Sequence, residues 1–215
     1  MPQTRIDLLD VIRTLALLGM AAFHLSYDLL MFGLIPPDYA QSATFYFHAR
    51  IVASTFIGLA GLGLYFAHSP TIRWPNFWRR LVKLAAGILH AIALYSLMGL
   101  AALRLPAPLT ALLAAVFIAG DTYLQTESLN ADLLRFIGLS TLPAYTVDFE
   151  PIFPWFGAFL TGIALGQIGN KFWPRLAQIT LPRWTTGPGR RSLPSYLIHQ
   201  PGLMGLVWAY AQFSG

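Results

Sequence analysis

Four ionisable residues sit in the first apolar run of the chain: Asp10, Arg13, His24 and Asp28. A titratable group in an apolar helix costs several kcal/mol unless it finds a partner, so such residues mark relays, ion paths or binding sites. At about 100° per residue all four project within an arc of about 60°, one stripe along a helix, with Ala16 and Gly19 among the small residues beside it. Arg13 lies about 16 Å along the axis from His24, and Asp28 stands one turn beyond His24. The spacing suits a histidine oriented by a carboxylate: Asp28 would hold one ring nitrogen and leave the other as a general base. The stripe equally suits a polar seam between helices, with Asp28 paired to Arg50 on the next apolar run, and the two roles are compatible.

Two further histidines fall in apolar runs. His90 closes Gly87-Ile-Leu-His90, and His199 stands in Ser195-Tyr-Leu-Ile-His199-Gln200-Pro201. Pro201 has no N–H to donate and frees a carbonyl near His199. Counted from the basic connector before it, His199 is about two turns into its run, level with Arg13. There it would line a cavity for a ligand arriving from that side, or simply pack. His48 and His68, near the ends of runs, read as interfacial. Asp148 opens the stretch Asp148-Phe-Glu-Pro-Ile-Phe-Pro154-Trp155-Phe-Gly157 and is a candidate substrate contact; its aromatic neighbours suit a membrane interface. Ala158, Gly162 and Gly166 recur every four residues, a seam for close helix packing. No phosphate-binding Gly-rich loop, serine-nucleophile elbow or zinc-protease motif occurs, and the histidine spacing makes no metal site. With no cysteine, a thiolate nucleophile or disulfide framework is excluded.

The elements that must hold these residues follow from composition. The 215-residue chain is 56% hydrophobic and only 11% charged, against about 25% charged in soluble domains, and its mean hydropathy is +0.57. A disordered chain, a disulfide scaffold and an ordinary cytosolic enzyme are excluded. The expectation is one all-α domain over 1–215, a polytopic membrane bundle of five or six spans with the bilayer as its partner. Apolar runs cover 8–35, 45–67, 81–103, 152–168 and 193–213, with a shorter one at 109–120. Helices are required because lipid cannot satisfy open backbone groups, and barrel-type alternation is absent. The net charge of +5 gathers in short connectors, a mark of topology and not of nucleic-acid binding. Arg73, Arg79, Arg80 and Lys83 in 68–83, with five basic residues in 169–192, place both connectors and the N-terminus on the cytoplasmic side. Connectors 36–44 and 121–151 then face outward. Parity conflicts with this scheme: three apolar runs lie between the two basic connectors, where an even number must cross.

The sequence Arg5-Ile-Asp7-Leu-Leu-Asp10-Val-Ile-Arg13, followed by His24-Leu-Ser-Tyr-Asp28-Leu, resembles the opening of the bacterial membrane family related to the heparan-alpha-glucosaminide N-acetyltransferase catalytic domain. The blocks at 87–94, 148–157 and 191–201 resemble later parts of that family, in order. The resemblance implies a multi-pass enzyme of the bacterial inner membrane that moves an acetyl group from cytoplasmic acetyl-CoA to an acceptor on the far side, a sugar in many cases. It implies His24 as base or acyl carrier, with Asp28 orienting it. Arg13, Arg79, Arg80 and His199 would meet the CoA, and Arg50, His90 and Asp148 the acceptor. Arg13 and His24 also resemble the Arg-x10-His pattern of wider membrane acyltransferases, with Thr14 where glycine is usual. The family pattern further places a span before the Gly87 block, where Lys83-Leu-Ala-Ala runs straight on here. Together with the parity conflict, this predicts that one helix has been lost. The rival readings are a small transporter in which the stripe relays protons, tested by transport in proteoliposomes, and a non-catalytic membrane subunit.

Overall fold

The computed structural model describes residues 5–85, 90–142 and 150–213. Among these residues the fold is all-helical: α1 (Asp7–Met31), α2 (Ala43–His68), α3 (Trp74–Ala85), α4 (His90–Ala102), α5 (Ala107–Tyr123), α6 (Ile152–Ile168), α7 (Trp173–Leu176), α8 (Arg183–Arg190) and α9 (Ser192–Phe213), with short 3-10 turns between some of them. Three segments are long and apolar enough to cross a membrane: Asp7–Met31, Ala43–His68 and Ile152–Lys171. Two apolar helices, α4 and α5, are shorter, at about 20 and 25 Å against a hydrocarbon core of about 30 Å. The 22-residue α9 is long enough, but its His199-Gln200-Pro201 step and neighbouring polar groups dilute its hydropathy. Within the expected run 81–103 the described residues are helical up to Ala85 in α3 and from His90 in α4.

The helix ends are written in the sequence. Asp7 and Asp10 occupy the first turn of α1, where carboxylates suit the positive end of the helix dipole. At its other end, Gly33 at φ 68° takes the left-handed conformation that stops the helix. Pro106 and Pro151 precede α5 and α6 in extended conformation, as expected of proline just outside a helix start.

Contacts divide the chain into two compact units: residues up to Phe56 together with those from Phe172 onward, and Ile57–Lys171. Helix α2 gives its first half to one and its second half to the other. In the first unit, α1 packs along α8 and α9. Its second half meets the start of α2, where Phe23 packs on Phe45 with ring centroids 4.8 Å apart and His48 Nε2 donates to the Gly19 carbonyl at 2.8 Å.

The second unit is built on a glycine crossing. A Cβ on Gly162 would run into the Gly58 carbonyl, and one on Gly61 into the Phe159 carbonyl, so α2 and α6 touch backbone to backbone. Gly166 meets the Tyr65 ring, which makes the 158–162–166 seam structural. On the opposite side of α6, Gly157 approaches the Ala114 carbonyl of α5, and Phe117 packs on Phe153 and Phe156.

These contacts show where the chain reverses direction within this unit. At one end of this unit lie His68, the end of α4 and the end of α6: Gln167 Nε2 donates to the carbonyls of Ala102 and Leu105 at 3.2 and 2.9 Å. At the other end, Tyr95 Oη donates to the carbonyls of Glu150 and Pro151 at 2.8 and 3.0 Å, and Gly120 meets the Phe153 ring. The chain therefore returns from the His68 end before α4 starts. Helix α3 makes the return: Phe77 lies against His68 at 5.5 Å, and Arg80 Nη2 reaches back to the Ala60 carbonyl at 3.3 Å. Helices α3, α4, α5 and α6 thus run alternately in opposite directions, although the 12-residue α3, which carries Arg79 and Arg80, is not among the helices long and apolar enough to cross a membrane.

Candidate functional site

In the first unit the stripe of α1 divides into two polar centres. The first lies at the start of α1. Asp10 is fully buried and accepts hydrogen bonds from Arg5 and from Arg13 Nη1, the latter at 2.7 Å, with Arg190 Nε at 3.5 Å. The bond to Asp10 holds the Arg5 guanidinium above its ordinary range. Asp7 accepts from Arg190 Nη2 at 2.7 Å and from the Leu181 N–H at 3.1 Å. Thr14 Oγ1 donates to the Asp10 carbonyl and accepts from the Gly189 N–H at 2.9 Å. A Cβ at Gly189 would run into the Asp10 carbonyl, so only glycine lets α8 lie this close. Three guanidinium groups thus face two carboxylates, and the basic 169–192 connector is fastened to the same end of α1 as the N-terminus.

The second centre lies further along α1. Asp28 is fully buried. Its Oδ1 accepts from Gln200 Nε2 at 3.4 Å, and its Oδ2 has no partner among the described residues. The His24 ring lies 5.1 Å from that of His199, tilted by 55°. His199 Nδ1 is 2.6 Å from the Tyr196 carbonyl. Its Nε2 and Gln200 Oε1 are likewise buried and without a partner among the described residues. Buried polar atoms are nearly always satisfied by protein or water. Three orphans on neighbouring side chains therefore mark a place for something outside the chain.

Several expectations change. Asp28 bonds to Gln200 and not to Arg50, whose guanidinium lies 4.8 Å over the Tyr46 ring. His199 belongs with His24 rather than with Arg13. The connector before it forms α8 alongside Asp10 and Thr14, so α9 starts already some way along α1 and brings His199 to the deeper level. His68, the last residue of α2, is 2% exposed, and its Nδ1 accepts from the Arg73 N–H at 3.2 Å. Arg79 is exposed on α3, Arg80 binds the Ala60 carbonyl, and His90 is exposed at the first turn of α4; all three belong to the second unit. Asp148 lies outside the described residues. Gln200 was missed from sequence, where a glutamine beside a proline gave no signal. Two residues i and i+1 on α9 facing two residues i and i+4 on α1 is a tertiary coincidence.

An all-helical protein with three long apolar segments and buried histidine and carboxylate side chains in helix contacts is an integral multi-pass membrane protein. The family model described as heparan-alpha-glucosaminide N-acetyltransferase, catalytic, matches residues 5–87 and 85–201, and the chain belongs to that family. The two matched segments meet at 85–87, between α3 and α4. No curated protein and no solved structure matches the chain.

Proposed function

We propose that this protein is a membrane acetyltransferase that moves an acetyl group from cytoplasmic acetyl-CoA to the amino group of a sugar on the far side of the membrane. Family membership supports the reaction class, and the amino-sugar acceptor follows the glucosaminide in the family's description. The observation that carries the reading is the second polar centre: a buried carboxylate oxygen of Asp28, an amide oxygen of Gln200 and a ring nitrogen of His199 without partners among the described residues, beside the ring of His24.

Acetyl-CoA enters as a substrate. Arg13 and Arg190 would meet its phosphates at the basic end of α1, since three guanidinium groups there exceed the two carboxylates they hold and arginine matches phosphate in a bidentate fashion. Arg79 and Arg80 on α3 remain proposed contacts of the CoA. The separation of about 16 Å from Arg13 to His24 along α1 is spanned by an extended pantetheine arm. Asp28 and Gln200 would hold the acceptor, and His24 and His199 are the groups beside it able to take and give protons. Arg50, His90 and Asp148 remain proposed acceptor contacts. We keep a count of five or six spans, with a cytoplasmic N-terminus.

The test is acetyl transfer from acetyl-CoA to glucosamine and its glycosides by purified protein in detergent. Transfer by wild type, lost in His24→Asn with acetyl-CoA binding retained, is the expected result. A wild type that transfers nothing, while moving protons across proteoliposomes, would replace the reading with a transporter.

A further inference from the structure

We infer that Nε2 of His199 is the atom that takes the proton from the acceptor; the identity of the acceptor as an amine rests on the reading above. The hydrogen bond at Nδ1 settles the tautomer. Tyr196 offers a carbonyl oxygen at 2.6 Å, which can only accept, so Nδ1 carries the hydrogen and the neutral ring keeps its lone pair on Nε2. That lone pair is buried and has no donor among the described residues. The Gln200 amide is fixed in the same way: its Nε2 donates to Asp28 Oδ1 at 3.4 Å, leaving Oε1 as an acceptor. Asp28 Oδ2 is the third orphan. All three unpartnered atoms are therefore acceptors, and one belongs to a carboxylate. A group with several N–H donors and a positive charge meets that demand, and the ammonium form of a primary amine is such a group.

An ammonium cannot attack a thioester until it loses a proton. One N–H bond breaks, its electron pair stays on nitrogen, and the proton bonds to His199 Nε2. The resulting imidazolium keeps its Nδ1–H on the Tyr196 carbonyl. The free amine then attacks the acetyl carbonyl, and the C–S bond breaks with its electrons on sulfur. The nitrogen sheds a second proton, which balances the thiolate as CoA thiol. The nitrogen has gone from three hydrogens to the one of the amide. The first proton leaves His199 for solvent past His24, whose ring lies 5.1 Å away.

The test reads His199 directly, by nitrogen NMR of histidine-labelled protein in detergent, with His199→Asn identifying its signals. The expected result is Nδ1 protonated and Nε2 bare in the resting protein, with glucosamine shifting Nε2 in wild type and not in Asp28→Asn. A hydrogen on Nε2 at rest, or no response to glucosamine, overturns the inference. In the transfer assay, His199→Asn keeps an amide donor for the Tyr196 carbonyl but lacks the Nε2 lone pair, so kcat should fall roughly 10²–10⁴-fold with the unfolding midpoint retained. Wild-type kcat in that variant also overturns the inference. An NMR response in a wild type that transfers no acetyl leaves the proton acceptor in place and removes the acetyltransferase reading instead.

Discussion

Asp10 and Asp28 are both fully buried carboxylates on one helix, and their surroundings set them apart. Asp10 is saturated by arginines, two of which are partly exposed, with side chains 52% and 37% accessible. Its loss therefore strands no buried charge. Asp10→Asn should destabilise by about 1.5–3 kcal/mol, the range for hydrogen bonds to charged groups, measured by reversible unfolding in mixed detergent; an unchanged midpoint would mean the arginines hold α8 without it. Asp28 has a single long bond, from Gln200, and a double-mutant cycle separates its partners. Asp28→Asn with Gln200→Leu should show coupling above about 0.5 kcal/mol, whereas Asp28→Asn with Arg50→Leu should be additive within that margin. Strong coupling to Arg50 would defeat the assignment of Asp28 to α9.

At the scale of elements, the α2–α6 crossing depends on missing side chains. Lipid tails are as apolar as leucine, so helices in a membrane gain by close packing rather than by hydrophobic burial. Gly162 sits against the backbone of Gly58 and Leu62, where nothing flexible can yield, whereas Gly63 has nothing within 4 Å of a built Cβ. Gly162→Ala should cost about 1–3 kcal/mol as overpacking. Gly63→Ala should be neutral or stabilising by up to about 1 kcal/mol, through helix propensity. Equal midpoints for the two variants would show that α2 and α6 do not touch here. Helix α3 carries Trp74, Trp78 and Val82 exposed along one side and Arg79 and Arg80 on another, while Phe77 is buried against α2. That division lets a helix too polar to qualify as a span lie along an apolar neighbour.

For the whole molecule, sidedness is the decisive quantity. Single cysteines at positions 71 and 186 should be labelled from the cytoplasm, and those at 90 and 130 from the other side, because α3 runs back along α2 between 71 and 90 and the connector 169–192 is basic. Labelling of 71 and 90 from one side would show that α3 does not carry the chain across. Acetyl-CoA at about a hundred times its dissociation constant should add about 2.7 kcal/mol of stability, and Arg13→Ala should reduce that protection. An equal shift in wild type and variant would move the phosphate contacts elsewhere.

Composition and helical spacing were enough to determine an all-helical membrane chain, the stripe Asp10–Arg13–His24–Asp28, the glycine seam at 158–166 and, through local motifs, the family. Each of these is a matter of neighbours along one helix, where 3.6 residues per turn turns sequence distance into spatial distance. The partners of the stripe were not legible. Whether Asp28 meets Arg50 or Gln200, and whether His199 stands level with Arg13 or with His24, depends on how far α9 is displaced along α1. That displacement is set by α8 docking through Gly189 and Thr14, a contact between residues 175 positions apart. The return of α3 along α2 was hidden for a related reason: hydropathy averages a basic amphipathic helix into a connector, and only its packing against the second half of α2 reveals that the chain turns back there. Packing chose the partners because buried polar groups accept whichever donor the helix offsets bring within reach.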